Sequence, residues 1–123
     1  MFDFKLTLVS NDPDTLWGVR DYLTRSGASL SSTSRLEHAS ETANDADAIV
    51  LFADDYPHDA VVNTVAGLSS RLVVIITGHS HEFERLRARR DLRTRVIVLP
   101  RPTWGWMLLD AVRVGTSDEP EGS

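Results

Sequence analysis

Five short apolar runs recur along the 123-residue chain and constrain its fold more than any other feature. Four are continuous rather than alternating, and one is weaker: Phe4 to Val9, Ala48 to Ala53, Leu72 to Thr77 and Val96 to Leu99, with Ser29 to Thr33 as the weaker run. Continuous runs rich in valine, isoleucine and leucine are typical of strands in a parallel sheet, because helices cover both of its faces. The runs therefore predict five buried parallel strands.

The intervals between the runs carry helical patterns. The clearest helix has Asp12 as its N-cap and Pro13 at its first position, and Gly27 ends it. Its apolar face is formed by Leu16, Val19 and Leu23. Pro57 opens a second predicted helix, whose apolar face is Val61, Val62, Val65 and Leu68. Ser80 caps a third, with Phe83 and Leu86, and Thr103 starts the last, which buries Trp104, Leu108, Ala111 and Val112. A polar helix is predicted over residues 35–44.

Five repeats of strand and helix predict an α/β fold. Right-handed crossovers place helices on both faces of the sheet, which gives a single (βα)5 flavodoxin-like three-layer domain with strand order 2-1-3-4-5. A chain of 13.7 kDa is the size of one ordinary domain. We assign residues 1–115 to it. Residues 116–123 contain no apolar side chain to bury and are predicted to be a disordered acidic tail.

Composition excludes several classes of protein. The chain has no cysteine, so it forms no disulfide, no thiolate nucleophile and no sulfur-ligated metal site. No apolar run approaches the ~20 residues of a membrane-spanning helix. The start of the chain, Met1 to Lys5, is not a signal peptide. We therefore expect a cytoplasmic protein without a membrane segment.

The carboxyl ends of the predicted strands are where a sheet of this kind collects its chemistry. That rule selects positions at the ends of four strands: Ser10, Asn11 and Asp12 after the first, Asp54 and Asp55 after the third, Thr77 and Gly78 after the fourth, and Pro100, Arg101 and Pro102 after the fifth. These residues are the candidate site.

At these strand ends the sequence resembles the receiver domain of bacterial two-component response regulators, over roughly residues 4–115. Residues 8–13 resemble the first strand of the family, which ends in a carboxylate pair. Residues 98–102 resemble its fifth strand, after which a lysine precedes a cis-proline. Residues 73–78 resemble its fourth strand, with Thr77 at the position of the hydroxyl that senses the phosphoryl group. The resemblance implies a signalling domain that takes a phosphoryl group onto an aspartate with the help of Mg²⁺.

The residues of this chain depart from that mechanism at five positions. Ser10 and Asn11 replace the carboxylate pair and leave Asp12 one step late, while the phosphoacceptor position falls on Phe52 or Ala53. Asp54 lies one or two positions beyond that acceptor position. Arg101 stands where the family has its lysine, and Val98 stands where it has its switch aromatic. We interpret the chain as a degenerate, or pseudo-, receiver with no enzymatic activity and no metal or cofactor. The alternative is an atypical phosphoacceptor that uses Asp54 with Asp12, Arg101 and Mg²⁺.

Positive charge is concentrated in residues 85–101, which hold seven arginines and one acid, Asp91. The resemblance implies an output surface on the fourth helix, fifth strand and fifth helix. We therefore expect another signalling protein to bind there, on a face that includes Arg85, Arg89, Val98, Trp104 and Trp106. A solvated helix face is the alternative, and nucleic acid is disfavoured because no recognition helix or aromatic stacking platform accompanies the arginines. Dimerisation stays open.

Two further pairs of residues are candidate sites. Trp104 and Trp106 are two residues apart at a helix start, so we expect one to pack into the core and the other to face solvent. His79 and His81 do not have the i, i+4 spacing of helical zinc ligands and are interpreted as solvated loop residues.

Overall fold

All five apolar runs form strands of one parallel sheet. The computed structural model describes residues 4–42, 46–68, 72–89, 91–92, 94–101 and 105–115. The strands are β1 (Lys5–Val9), β2 (Ser29–Thr33), β3 (Ala48–Phe52), β4 (Leu72–Thr77) and β5 (Arg95–Pro100). Every neighbouring pair is parallel and the order is β2-β1-β3-β4-β5, which confirms the predicted topology.

Burial of the strands explains why the apolar runs are continuous. Every residue of β3 and β4 is buried, because helices cover both faces of the sheet centre. Successive side chains belong to two different core clusters, with Ile49 and Leu51 in one and Val50 and Phe52 in the other. The outer strand β2 has no buried residue, which accounts for its weak apolar character.

Helix α1 (Pro13–Arg25) has the predicted ends. The Asp14 amide donates to Asp12 Oδ1 at 3.1 Å, so Asp12 is the N-cap. The chain leaves the helix through Gly27, whose φ of 101° favours glycine. Leu23 is fully buried, and Leu16 and Val19 pack partly against the same core cluster.

Three of the four remaining helices start later than their patterns predict, and the predicted start of the last one, Thr103, lies outside the described residues. The four helices are α2 (Ala39–Thr42), α3 (His58–Gly67), α4 (Glu84–Ala88) and α5 (Gly105–Gly115). Pro57 is the N-cap residue of α3 rather than its first residue. Ser80 does not cap a helix, because it begins a 3₁₀ turn, Ser80–Phe83, that precedes the five-residue α4. That turn and α4 together bury Phe83 and Leu86, which lie three residues apart.

The polar stretch from residue 35 forms a 3₁₀ turn, Leu36–His38, and then the four-residue α2 rather than one helix. Asn44 lies outside the described residues, as do Trp104 and the predicted tail, residues 116–123. Along α5, Leu108, Ala111 and Val112 are buried as predicted. Among the helices that the structure describes, none is long and apolar enough to cross a membrane.

Candidate functional site at the strand ends

A 3₁₀ turn, Ala53–Asp55, follows β3 and organises the candidate site. In the sheet, Phe52 is paired with Ile76, so the turn begins level with the end of β4 at Thr77. The turn directs its two acidic side chains to opposite sides. Asp54 reaches the ends of β4 and β5, whereas Asp55 reaches the loop between β1 and α1.

The Asp54 carboxylate is bound by two donors at the end of β4 and lies near an arginine that follows β5. Thr77 Oγ1 donates to Asp54 Oδ1 at 2.6 Å, and the Gly78 amide donates to Oδ2 at 2.8 Å. Arg101 Nη1 lies 3.9 Å from the same Oδ2. The structure therefore brings together three residues of the predicted site, Asp54, Thr77 and Arg101, in one cleft.

These contacts change the acidity of Asp54. Burial opposes ionisation, but the hydrogen bonds from Thr77 and Gly78 and the electrostatic interactions with His79 and Arg101 outweigh it and lower the pKa of the carboxyl. The Asp54 side chain is 25% exposed. It is therefore an anion at neutral pH whose charge is balanced mainly by protein groups.

Thr77 and Gly78 are well placed to hold an anion. Thr77 is buried, and its hydroxyl also accepts a hydrogen bond from the His79 amide at 3.0 Å. A Cβ on Gly78 would lie 3.4 Å from Asp54 Oδ2, which is an ordinary van der Waals contact, so Gly78 contributes to the site through its backbone amide. The sequence marked Gly78 only as a strand-end residue, and its role as a donor depends on the tertiary contact.

Asp55 forms a second cluster on the opposite side of the turn. Its Oδ2 accepts hydrogen bonds from the Ser10 hydroxyl and, at 3.3 Å, from the Asn11 amide. The Asn11 side-chain amide donates to the Asp55 carbonyl at 3.0 Å. Ser10 is buried, and its hydroxyl accepts from the Asp12 amide at 3.1 Å. The residues at the predicted carboxylate-pair positions therefore bind a protein carboxylate themselves.

Tyr56 fixes the far end of the turn. Its hydroxyl donates to the Ser34 carbonyl at 2.8 Å, which ties the turn to the segment after β2. Burial, together with the negative charges of Asp55 and Glu37, raises the pKa of Tyr56 to about 12. The phenol therefore stays protonated and remains a donor.

Asp12 is engaged as a helix cap. Besides the Asp14 amide, the Thr15 hydroxyl donates to its carboxylate at 2.9 Å. The Thr15 hydrogen bond is the main reason that the pKa of Asp12 is lowered, with further contributions from the backbone amides of the first turn and from the charge of Arg101. The sequence predicted the cap but did not show that it engages both carboxylate oxygens.

Phe52 and Ala53, the residues at the predicted phosphoacceptor position, are 4% and 2% exposed. They belong to the two core clusters on opposite faces of the sheet. The hydroxyl of Thr77 is contacted by Asp54, which lies one residue further along the turn than Ala53.

The donor set does not fit a magnesium ion. Mg²⁺ binds through carboxylate oxygens and water in octahedral geometry. The carboxylates of Asp12, Asp54 and Asp55 each accept hydrogen bonds from protein N–H and O–H groups. In the part of the chain that the structure describes, no three His, Asp or Glu side chains come together as metal ligands.

The residues of the predicted partner face are distributed over α4, β5 and α5. Arg85 is exposed on α4, and Arg89, just after that helix, pairs with Asp91 through two hydrogen bonds of 2.9 and 2.6 Å. Val98 is half-buried against the core. Trp106 is 64% exposed at the start of α5, whereas Trp104 lies outside the described residues.

Comparison with solved structures identifies the fold. A two-component response regulator from Clostridium difficile matches with a TM-score of 0.68 and 18% identity, over 91% of this chain and 94% of that one. The BeF3-activated N-terminal receiver domain of RstA from Klebsiella pneumoniae matches with a TM-score of 0.66 and 17% identity, over 91% of this chain and 97% of that one. The non-phosphorylated receiver domain of HemR from Leptospira biflexa matches with a TM-score of 0.64 and 18% identity, over 97% of this chain and 98% of that one.

No protein-family model matches the sequence, and neither does any curated protein. At the identities of the structural matches, the likeness establishes the fold alone. The chain therefore has the flavodoxin-like fold of response regulator receiver domains. Its strand ends carry the two hydrogen-bonded clusters described above.

Proposed function

We propose that this chain is a receiver-like signalling module that acts in the cytoplasm by binding another protein, without enzymatic activity and without conventional aspartate phosphorylation. The observation that carries the proposal is the environment of Asp54. In the receiver resemblance, the Thr77 position senses an incoming phosphoryl group and the Arg101 position supplies a positive charge. Here a carboxylate of the chain itself accepts from Thr77 and Gly78 and lies 3.9 Å from Arg101.

An internal carboxylate at this place has a thermodynamic consequence. A receiver responds to phosphorylation because charge at the acceptor shifts an equilibrium between two conformations. A covalently attached anion beside Thr77 supplies charge at all times. The conformation of the cleft is then set by Asp54 and by whatever partner binds, rather than by a phosphoryl donor.

The cluster around Asp55 supports the same proposal. Phosphoryl transfer to an aspartate needs a metal ion to neutralise the charge that develops. Ser10 and Asn11 supply hydrogen-bond donors to Asp55 where the resemblance implies metal-binding carboxylates. We therefore expect neither Mg²⁺ binding nor phosphoryl transfer at this edge of the sheet.

Intact-mass spectrometry after incubation with Mg²⁺ and a small acyl phosphate tests the proposal. We expect no gain of a phosphoryl group, while a conventional receiver treated in the same solution gains one. A Mg²⁺-dependent adduct that disappears in Asp54→Asn would contradict the proposal.

That outcome would support the second candidate function, an atypical phosphoacceptor that uses Asp54. One observation favours this alternative: the Asp54 carboxylate points into the cleft between Thr77 and Arg101 and is partly exposed. Asp12, the second carboxylate that this function needs, is instead engaged by Thr15 and Asp14.

We further propose that the partner binds the face formed by α4, β5 and α5. The arginines after residue 84 favour an acidic partner surface, and the exposed Trp106 is the type of residue that dominates binding energy at interfaces. A partner bound by the wild type should be lost with Arg85→Ser, Arg89→Ser and Trp106→Ala combined. The matched control is Arg20→Ser with Trp17→Ala on α1, where Trp17 is 74% exposed. Loss of binding in the control alone would place the interface on α1 instead.

A further inference from the structure

The outward face of α1 carries the most exposed large apolar side chain of the residues that the structure describes. Trp17 is 74% exposed, compared with 64% for Trp106 and 59% for Val114 on α5. Tryptophan is among the residue types that most often dominate binding energy at protein interfaces. One exposed side chain is not a site by itself, but the residues around Trp17 on the helix add two further observations.

Gly18, the neighbour of Trp17, is not required by packing inside the chain. A Cβ on Gly18 would meet no atom of the described residues within 4 Å, whereas a Cβ on Gly105 would overlap the ring of Tyr22. Glycine is one of the least favourable residues inside a helix, because it loses more backbone freedom than alanine. On an exposed face, a glycine lets another molecule approach the helix backbone closely. Gly18 is therefore explained best by a contact outside the chain.

The charges on this face have opposite signs on the two sides of Trp17. Asp14 lies three residues before Trp17 and Arg20 lies three residues after it, and all three residues are exposed. In an α-helix each charged position is then about 4.5 Å along the axis from Trp17 and about 60° around it. Within the described ranges of the chain, neither Asp14 nor Arg20 has an ion-pair partner.

We propose that two copies of the chain associate through the outward faces of their α1 helices, antiparallel about a two-fold axis near Trp17. A two-fold axis of this kind reverses the order of the residues, so Asp14 of each copy faces Arg20 of the other and two ion pairs form. At the centre, Trp17 of each copy packs beside Trp17 and Gly18 of the other. The tryptophan, the glycine and both charges thereby gain a role that the single chain does not give them.

A second copy fits this face better than a partner of one charge sign. The face has two acids, Asp14 and Asp21, and two arginines, Arg20 and Arg25, so it is neutral although the whole chain has a net charge of −5. Asp21 and Arg25 pair within one copy at 3.3 Å. A uniformly acidic or basic partner would repel one of the two remaining charges. The association leaves α4, β5 and α5 open, so it holds or fails independently of the proposed function.

Sedimentation equilibrium of the full chain in about 0.1 M salt tests the association. One helix face is smaller than the ~800 Å² per partner of a standard interface, so we expect a weak dimer with a dissociation constant on the order of 100 μM. Trp17→Ala should raise that constant by at least about 30-fold, because the residue lies at the centre of the contact. A wild-type chain that stays monomeric up to ~1 mM would overturn the proposal and leave the face to a different protein.

Charge reversal distinguishes the antiparallel contact from any other association. Asp14→Lys places a cation opposite Arg20, and Arg20→Glu places an acid opposite Asp14, so each variant alone should raise the dissociation constant by at least about tenfold. In an equimolar mixture of the two variants, both opposed pairs of the mixed dimer have opposite signs. The mixture should therefore dimerise within about threefold of the wild-type constant, which also shows that both variants are folded. A mixture that stays monomeric would overturn the proposal.

The matched controls make the same charge changes at exposed positions away from α1. They are Asp59→Lys on α3 and Arg35→Glu just before the 3₁₀ turn Leu36–His38. Each should leave the dissociation constant within about twofold of the wild-type value. Controls that weaken the dimer as much as the α1 variants do would show that net charge rather than this contact governs association, and they would overturn the proposal.

Discussion

The two sides of the turn after β3 hold adjacent carboxylates in different ways. On one side, Asp54 is bound by a hydroxyl and an amide from the end of β4, and Arg101, which follows β5, lies nearby. On the other side, Asp55 is bound by the buried Ser10 hydroxyl and the Asn11 amide of the β1 loop. A divalent ion needs carboxylates that converge, whereas this turn makes them diverge and supplies each with protein donors. The comparison shows how one 3₁₀ turn can separate two charges and leave the sheet unchanged.

Removing the Thr77 hydroxyl tests the Asp54 side and should have the largest effect on stability. Hydrogen bonds to charged groups contribute about 1.5 to 3 kcal/mol. Because the Asp54 side chain is 25% exposed and water replaces part of the interaction, we expect Thr77→Val to lower the free energy of unfolding by an amount in the lower half of that range. Urea denaturation measures the change. The control is Thr7→Val on β1, since Thr7 is also buried but its hydroxyl contacts the neutral Ser31 hydroxyl at 2.8 Å. A larger loss in Thr7→Val would contradict the account.

Removing the Ser10 hydroxyl tests the Asp55 side. Ser10→Ala should cost about 1 to 2 kcal/mol, because a half-buried carboxylate loses a donor and the Asp12 amide loses an acceptor. Among the described residues, the two sides have no hydrogen-bond partner in common, so Ser10→Ala and Thr77→Val should add to within about 0.5 kcal/mol in the double variant. A larger coupling would show that the two clusters form one unit.

Replacing the cation should have a smaller effect than replacing the hydroxyl. Arg101 lies 3.9 Å from Asp54 Oδ2 and its side chain is 40% exposed. We expect Arg101→Gln to lower the free energy of unfolding by at most about 1 kcal/mol, the range of exposed ion pairs. A loss that exceeds the one in Thr77→Val would reverse the ranking of donors proposed here.

Lowering the pH should reduce the stability that the Asp54 carboxylate contributes, because its pKa is lowered in the folded protein. We expect this effect to be smaller than those of the three substitutions. A carboxyl whose folded pKa is depressed stabilises the fold fully above its unfolded value, ~3.9, and the stabilisation is lost as the pH falls through the folded pKa. The difference in unfolding free energy between wild type and Asp54→Asn should therefore shrink below about pH 4. Denaturation curves recorded from neutral to acidic pH measure it. A constant difference would mean that Asp54 has the same pKa in both states.

Much of the fold could be predicted from the sequence because its signals are local. Continuous apolar runs marked β3 and β4, and Asp12 with Pro13 marked the start of α1. The short helix α4 was harder, since a 3₁₀ turn and a helix can bury the same two residues, Phe83 and Leu86.

The site was predicted only in part, for a physical reason. Strand order alone places Thr77, Arg101 and the turn after β3 at one edge of the sheet. The opposite directions of Asp54 and Asp55 depend on the 3₁₀ geometry of the turn and on donors that are 23 to 45 residues away in sequence. No local pattern encodes the contact between Ser10 and Asp55.

Titration with Mg²⁺, followed through the amide signals of Asn11 and Gly78, tests the central claim most directly. These two amides donate to Asp55 and Asp54, so an ion that binds either carboxylate must displace or perturb them. Neither signal should move in a saturable way at millimolar Mg²⁺. A saturable shift that is abolished by Asp54→Asn would show that the carboxylates are available to a metal ion, and it would contradict the account.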